Sequence, residues 1–410
     1  MSLAQSGKSD KASCLVREIE MHITQVVPRF FPAIGGVEEH VFQISLELVK
    51  RGHDVTVVTS NDVDGKNYPL QTETLEGISV YRFPLFMPKM FREIWFIPEI
   101  LKSFLQLESD VVHVHGYRCM SSFNAIYIAQ IRNVPSILTP HGIYPTRSFV
   151  NGLAKSAFDH LFGRLLLGLS DKIIALSESN KDALLEIGAS ADKIVTVPNG
   201  INLEEHMHLQ RKKGTLKDFS RNGPVLLYVG RIDWNKRVQN VIESMPMILE
   251  HFPSAKFVIV GPDYGNYVSK LVGVARKLKV EHAVCITGNV PKEKLLYYYS
   301  VADVFLLPSS YEGFGLSMLE AMGSKVPVIV SPSGGPGDIL NHGEHAWLLK
   351  EASASEISEA VCTLLTDSQL RETLITNAFE LVKKNYTWKN VVDELEAVYE
   401  EMIIEKAECG

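Results

Sequence analysis

Short apolar runs alternate with stretches whose apolar positions recur every three or four residues, from Met21 almost to the C-terminus. Met21–Val27, Asp54–Thr59, Asp110–His115, Ser136–Thr139 and Lys172–Leu176 read as buried strands. Val37–Lys50 reads as a helix, because Val41, Ile44 and Leu48 fall on one face. A polar stretch containing Arg211-Lys-Lys213 follows and runs to Asn222. The pattern then restarts with strand Val225–Val229, helix Asn235–Phe252 and strand Lys256–Val260. Further strands are predicted near Ala283–Thr287, Asp303–Leu307 and Val326–Val330. Strands alternating with helices predict parallel sheets covered by helices. Two such series predict an α/β protein with two Rossmann-like domains facing a central cleft. The turn Pro198-Asn199-Gly200 marks the boundary. Residues 1–20 are then a flexible lead-in, 21–198 the first domain and 199–385 the second. Residues 386–410 form a last helix, with Val391, Leu395 and Val398 at helical spacing after Trp388, free to cross back onto the first domain.

Bulk properties narrow the classes. A chain of 410 residues is too long for one core. Its 46% apolar and 22% charged content is that of an ordinary soluble globular protein. A net charge of -7 argues against nucleic acid as a partner. The five cysteines, Cys14, Cys119, Cys285, Cys362 and Cys409, show no metal-ligand spacing and read as reduced thiols of a cytoplasmic protein. The first 20 residues lack a signal-peptide core, and no apolar segment reaches membrane-spanning length. Between Phe83 and Leu107, aromatic residues such as Phe91, Trp95 and Phe96 mix with Lys89 and Arg92. That segment suits either a peripheral contact with a membrane surface or lipid acceptor, or a helix packed on its own domain. Aromatic stripes are more often core, which favours the second.

The chemistry concentrates at predicted strand ends. Glu312-Gly-Phe-Gly-Leu-Ser-Met-Leu-Glu320 follows the apolar run Val301–Pro308 and opens a helix near Leu316. Gly313 and Gly315 let backbone amides approach a ligand closely, and a helix start favours anions. Glu320, in the first turns, is placed to accept two adjacent sugar hydroxyls, with Glu312 at the mouth of the loop. Upstream, Arg231 and Lys236 lie five apart across a strand-to-helix turn, a spacing that can clamp a diphosphate. Gly334-Gly335 follows another strand and by itself reads as a flexible surface loop.

The first domain carries weaker signals. Gly35-Gly36 follows the first strand and would let a helix start approach a phosphate or sugar, but it is no GxGxxG dinucleotide fingerprint. His141, beside Gly142 at a strand end, is placed to face the cleft. His113 and His115 alternate on one strand and could pair on a metal; no third ligand is evident, and burial in the sheet is the better reading. Asp62-Val-Asp64 sits among turn residues and reads as a turn, so no metal site is assigned.

Together these motifs resemble retaining glycosyltransferase family 4, with the two-Rossmann (GT-B) fold, over nearly the whole chain from Met21. The Glu312/Glu320 pair matches the family's Glu-x7-Glu mark, and Gly230-Arg231 with Lys236 its donor-phosphate clamp. Gly35-Gly36 and His141 match its first-domain motifs. Pro198-Asn-Gly-Ile-Asn202 is similar to its interdomain turn, with Asn202 where Asp is common, and Asp338 stands where Glu is common. The resemblance implies a metal-independent hexosyltransferase, with no cofactor beyond a UDP- or GDP-sugar donor as substrate and a sugar, lipid or small-molecule acceptor. Arg231 and Lys236 would neutralise the leaving diphosphate. Glu320 would bind ribose, Glu312 with the amides of Gly313, Phe314, Gly315 and Leu316 would hold the sugar or distal phosphate, and His141 would position the sugar. A sugar-nucleotide epimerase, or a non-catalytic sugar-nucleotide-binding protein, would use the same fold.

Overall fold

The computed structural model describes residues 20–409 apart from 34, 64–65, 70–71, 85–107, 142–158 and 208–222. The aromatic segment beyond Pro84 and the basic Arg211–Lys213 stretch therefore lie outside the described residues. The first half contains β1 (His22–Val26), β2 (Asp54–Ser60), a short hairpin of β3 (Asp62–Val63) and β4 (Lys66–Asn67), β5 (Thr72–Leu75) and β6 (Ile78–Phe83). It continues with β7 (Val111–His115), β8 (Ser136–Thr139), β9 (Lys172–Ala175) and β10 (Ile194–Thr196). Among the described residues all of these but β3 and β4 form one sheet in the order β10-β9-β8-β7-β1-β2-β6-β5, parallel except for the β5–β6 edge pair. Helices cover both faces of its centre, which is why β7 is buried along its whole length.

The second half contains β11 (Val225–Val229), β12 (Lys256–Val260), β13 (Val284–Gly288), β14 (Val304–Leu307), β15 (Val328–Val330) and β16 (Trp347–Leu348). Their order, β13-β12-β11-β14-β15-β16, is the 3-2-1-4-5-6 arrangement of a Rossmann sheet. The switch point falls between β11 and β14, so the loops leaving these two neighbouring strands lie side by side.

Among the described residues the chain passes between the domains at Gly200–Ile201 and at Tyr386–Trp388, and these passages touch. Ile201 bridges Thr387, and its amide donates to the Tyr386 carbonyl at 2.9 Å. A Cβ at Gly200 would stand 2.7 Å from the Trp388 nitrogen, so this crossing admits only glycine. The terminal helix Trp388–Cys409 then packs Val391, Leu395, Val398 and Tyr399 into the first-domain core beside Ile23, Val41 and Ile44. Arg51 with Asp393 (2.8 Å) and His53 with Glu396 (2.6 Å) pin its outer edge.

One element departs from the sequence pattern. The helix expected from Asn235 begins at Val238. Asp233 accepts the amides of Asn235 and Lys236, which winds Trp234–Lys236 into a 3-10 turn. Arg237 follows in the left-handed region at φ 48°.

Candidate functional site

On the second-domain side, the loops after β11 and β14 are bonded into one unit. Asn235 donates its side-chain amide to the Tyr311 carbonyl at 2.8 Å, and its own carbonyl accepts the Ser310 amide at 2.7 Å. This brings Lys236 Nζ to 2.6 Å from Glu312 Oε2, which also accepts from Ser309 Oγ at 3.1 Å. Both charged side chains are nearly buried, at 11% and 14% exposure. Arg231 does not join them. Its half-exposed guanidinium stands 3.6 Å from Asp233 and over the Tyr264 ring at 5.3 Å. The two predicted cations are thus one buried lysine tied to a carboxylate and one arginine at the rim.

Gly315, at φ 93°, caps the helix Leu316–Gly323, and Gly313 and Phe314 are buried behind it. Gly334-Gly335 is not a flexible surface loop. The Gly335 amide donates to the Glu312 carbonyl at 3.0 Å, and Glu312 donates to the Ser333 carbonyl at 3.0 Å. Gly334 has φ 77°, and a Cβ there would lie 2.1 Å from the Glu312 carbonyl oxygen. These glycines are what lets one loop lie flat against the other.

Glu320 lies deeper. Its Oε2 accepts from the Tyr299 hydroxyl at 2.7 Å, and burial pushes its carboxyl up to about 7. It lines a pocket between the domains with Glu39, Gly200, Glu205, Lys292 and Trp388. Lys292 and Glu205 pair there at 2.7 Å. Sequence reading missed Tyr299, Lys292 and Glu205, because single polar residues on helices carry no motif.

On the first-domain side, Gly35 and Gly36 open the helix Gly36–Lys50 after the loop that leaves β1. A Cβ on Gly36 would sit 3.6 Å from Leu316 Cδ1, so this helix start meets the second domain's helix start across the cleft. A Cβ on Gly35 would meet Glu38 Oε2 at 2.2 Å. Glu38 is buried and paired with Arg29 at 2.7 Å, so the carboxylate nearest this helix start is the protein's own.

His141 follows β8 with its backbone at φ 58°, a left-handed conformation that costs a non-glycine residue roughly 1–2 kcal/mol. It joins a group of imidazoles that the sequence did not reveal as a unit. His115 Nε2 donates to Gln25 Oε1 at 2.7 Å, and His115 Nδ1 lies 2.8 Å from His141 Nε2. His113 is used at both nitrogens, by the Tyr399 hydroxyl at 2.6 Å and Thr139 Oγ1 at 2.7 Å. Gln25 donates to the same Tyr399 hydroxyl at 3.4 Å. His40, from the Gly36–Lys50 helix, donates through Nδ1 to Asn199 Oδ1 at 2.6 Å, and its ring stacks edge-on to His141 at 4.7 Å. Burial lowers His40 to about 4 and holds His113, His115 and His141 well below the usual imidazole range. The cluster is therefore neutral near pH 7. The sequence placed His113 and His115 as the candidate pair; the fold ties up His113 and brings His40 and His141 to His115 instead.

The two sides are tied at the rim. Ser179 donates its amide and hydroxyl to Asp338 at 2.8 and 2.7 Å, and Asn180 donates to the Gly313 carbonyl at 3.0 Å. Asp62 lies in the β3–β4 hairpin, and Asp64 is outside the described residues.

Two family models match this chain: glycosyl transferases group 1 over residues 215–381 and glycosyltransferase family 4 over residues 34–205. An uncharacterized glycosyltransferase of Methanocaldococcus jannaschii is 30% identical over 395 residues, covering 92% of this chain and 98% of that protein. Among solved structures, sucrose-phosphate synthase of Thermosynechococcus elongatus aligns with a TM-score of 0.78 at 21% identity, over 94% of this chain and 100% of that one. HepE of Anabaena, in complex with UDP and glucose, aligns with a TM-score of 0.73 at 18% identity, over 93% and 100%. The chain belongs to the glycosyltransferases of the GT-B fold and is a transferase enzyme.

Proposed function

We propose that this glycosyltransferase moves a hexose-type sugar from a UDP- or GDP-sugar to a sugar, lipid or small-molecule acceptor, with retention at the anomeric carbon. The observation that carries the reading is the buried Lys236–Glu312 pair at the switch point of a Rossmann sheet, beside a glycine-capped helix start. A lysine held at such a place is preorganised for a phosphate, and Arg231 at the rim has the reach to add a bidentate contact. The UDP and glucose described in HepE, which shares the fold, support a nucleotide-sugar donor.

In this reading the bond between the anomeric carbon and the phosphate oxygen breaks, with its electron pair leaving on the nucleoside diphosphate. Lys236, Arg231 and the amides of Gly313 to Leu316 stabilise that growing charge. The acceptor hydroxyl oxygen bonds to the anomeric carbon and gives up its proton to the departing phosphate oxygen. Glu320, beside the Tyr299 hydroxyl, takes ribose hydroxyls, and Glu312 holds Lys236 in place until donor arrives. His141 steadies the sugar from the opposite domain. Because cations and amides carry the charge, transfer proceeds without a metal.

A screen of UDP-, GDP- and ADP-sugars tests the reading by thermal stabilisation and by turnover in EDTA. One donor should raise the melting temperature and turn over with chelator present. Arg231→Ala and Lys236→Ala should each weaken donor binding by roughly 1.5–3 kcal/mol. Unchanged donor affinity in both variants, or full loss of turnover on chelation, would sink it.

A further inference from the structure

Three of the histidines at the first-domain edge of the cleft converge on one point. One ring nitrogen from each of His40, His115 and His141 lies within 4.8 Å of the other two. Hydrogen bonds fix the tautomers of two of these rings. His40 Nδ1 is held by Asn199 Oδ1, and His115 Nε2 by Gln25 Oε1. Gln25 cannot flip without loss, because its amide nitrogen donates to Tyr399. The inward nitrogens, His40 Nε2 and His115 Nδ1, are therefore unprotonated, and the second accepts the N–H of His141 Nε2 at 2.8 Å. His40 is 2% exposed, and its Nε2 is a buried polar atom with no hydrogen-bond partner. An orphaned buried acceptor of this kind is uncommon and asks for an explanation.

We propose that His40, His115 and His141 form a three-imidazole site for a divalent transition-metal ion of the zinc class. Imidazole nitrogens suit zinc, cobalt, nickel and copper ions. A ligating histidine ordinarily gives its other ring N–H to an oxygen that fixes tautomer and orientation, and Asn199 and Gln25 supply those oxygens here. Zinc-to-nitrogen bonds of about 2.0–2.1 Å set tetrahedral ligands roughly 3.3 Å apart. The 2.8 Å between His115 Nδ1 and His141 Nε2 must open, and His40 must close in, by ring movements of roughly an ångström. The proton on His141 Nε2 passes to its Nδ1, so the ring stays neutral as it turns from hydrogen-bond donor to ligand. His141 is partly exposed, so the fourth position opens to the cleft. His113 takes no part, since both its nitrogens are engaged. The inference does not rest on His141 touching a donor sugar, because its readout is metal spectroscopy and not turnover.

The test is titration of the full-length, EDTA-stripped protein with Co2+. One equivalent should bind with the visible d–d absorption of a four-coordinate ion. Zn2+ should displace it and raise the melting temperature. X-ray absorption on the zinc form should count three imidazoles. His141→Ala, at a partly exposed position, and His40→Ala should each abolish the cobalt spectrum while keeping wild-type circular dichroism. If His40→Ala fails to fold, His141→Ala and the absorption count decide. No visible band at excess Co2+, a band that survives His141→Ala, or a thiolate charge-transfer band pointing to the cysteines would overturn the site.

Discussion

On the second-domain side of the cleft, Lys236 and Glu312 form a nearly dry ion pair, and both come from stretches that announce themselves in the sequence. On the first-domain side, His40, His113, His115 and His141 come from a helix and two strand ends spread over about a hundred residues. They are neutral and held by amide and hydroxyl partners. One side stores opposite charges at short range, and the imidazole cluster on the other is held neutral by burial. The first should therefore answer to deletion of a charge, and the second to addition of a proton.

The largest effect is expected from Lys236→Met. It strands the Glu312 carboxylate in a site with little water, and removing one partner of a buried pair destabilises by about 3–5 kcal/mol. Urea unfolding would read the loss, and Lys236→Met with Glu312→Leu should recover a good part of it. A single variant as stable as the wild type would mean that water reaches the pair freely and that the contrast between the two sides is overdrawn.

pH should separate the sides by sign. His40 titrates at about 4 when folded against 6.5 when free, so its contribution is present above pH 6.5 and is lost as pH falls through 4. For His40 alone this amounts to roughly 3 kcal/mol, with His113, His115 and His141 acting in the same direction. Glu320 runs the other way. Raised from 4.5 to about 7, it contributes stability below pH 4.5 that is lost as pH rises through 7. Its partial exposure makes the effect smaller. Hydrogen exchange at pH 5 and pH 7 should show β7 and β8 losing protection in acid while the Leu316–Gly323 helix holds or gains it. Parallel loss in both would mean that the two sides of the cleft answer to pH alike.

The smallest effect sharpens it. Tyr399→Phe removes the one hydroxyl that serves both His113 and Gln25, leaving two buried groups short of a partner. We expect a loss of about 1–2 kcal/mol in stability. Turnover should fall by a few-fold, well short of the Lys236 variants, because Gln25 orients His115 and His115 contacts His141. Unchanged stability and turnover would show that the imidazoles hold their places without the terminal helix.

The sequence by itself determined the architecture. Apolar runs alternating with helical spacing are a local signal, and burying them on both faces of a parallel strand leaves few folds to choose from. It also marked Lys236, Glu312, Gly315 and Glu320, because glycines and charges at strand ends sit in contiguous motifs. It misread Gly334-Gly335 as a loose loop. Their need for glycine comes from a backbone remote in sequence: a Cβ on Gly334 would lie 2.1 Å from the Glu312 carbonyl oxygen, and one on Gly335 2.7 Å from Phe314 Cα. It left His40, Gln25 and Tyr399 unmarked, marked Asn199 only as part of a turn, and read His113 and His115 as buried in the sheet rather than paired on a metal. Only the tertiary structure decided which imidazoles meet, because that depends on the register of β1 against β7 and β8 and on the terminal helix crossing back to bring Tyr399 within reach. Periodicity along a chain records which residues are buried. It carries no record of which buried polar atoms from distant segments end up facing one another, and in this protein the first-domain side of the cleft is made of such meetings.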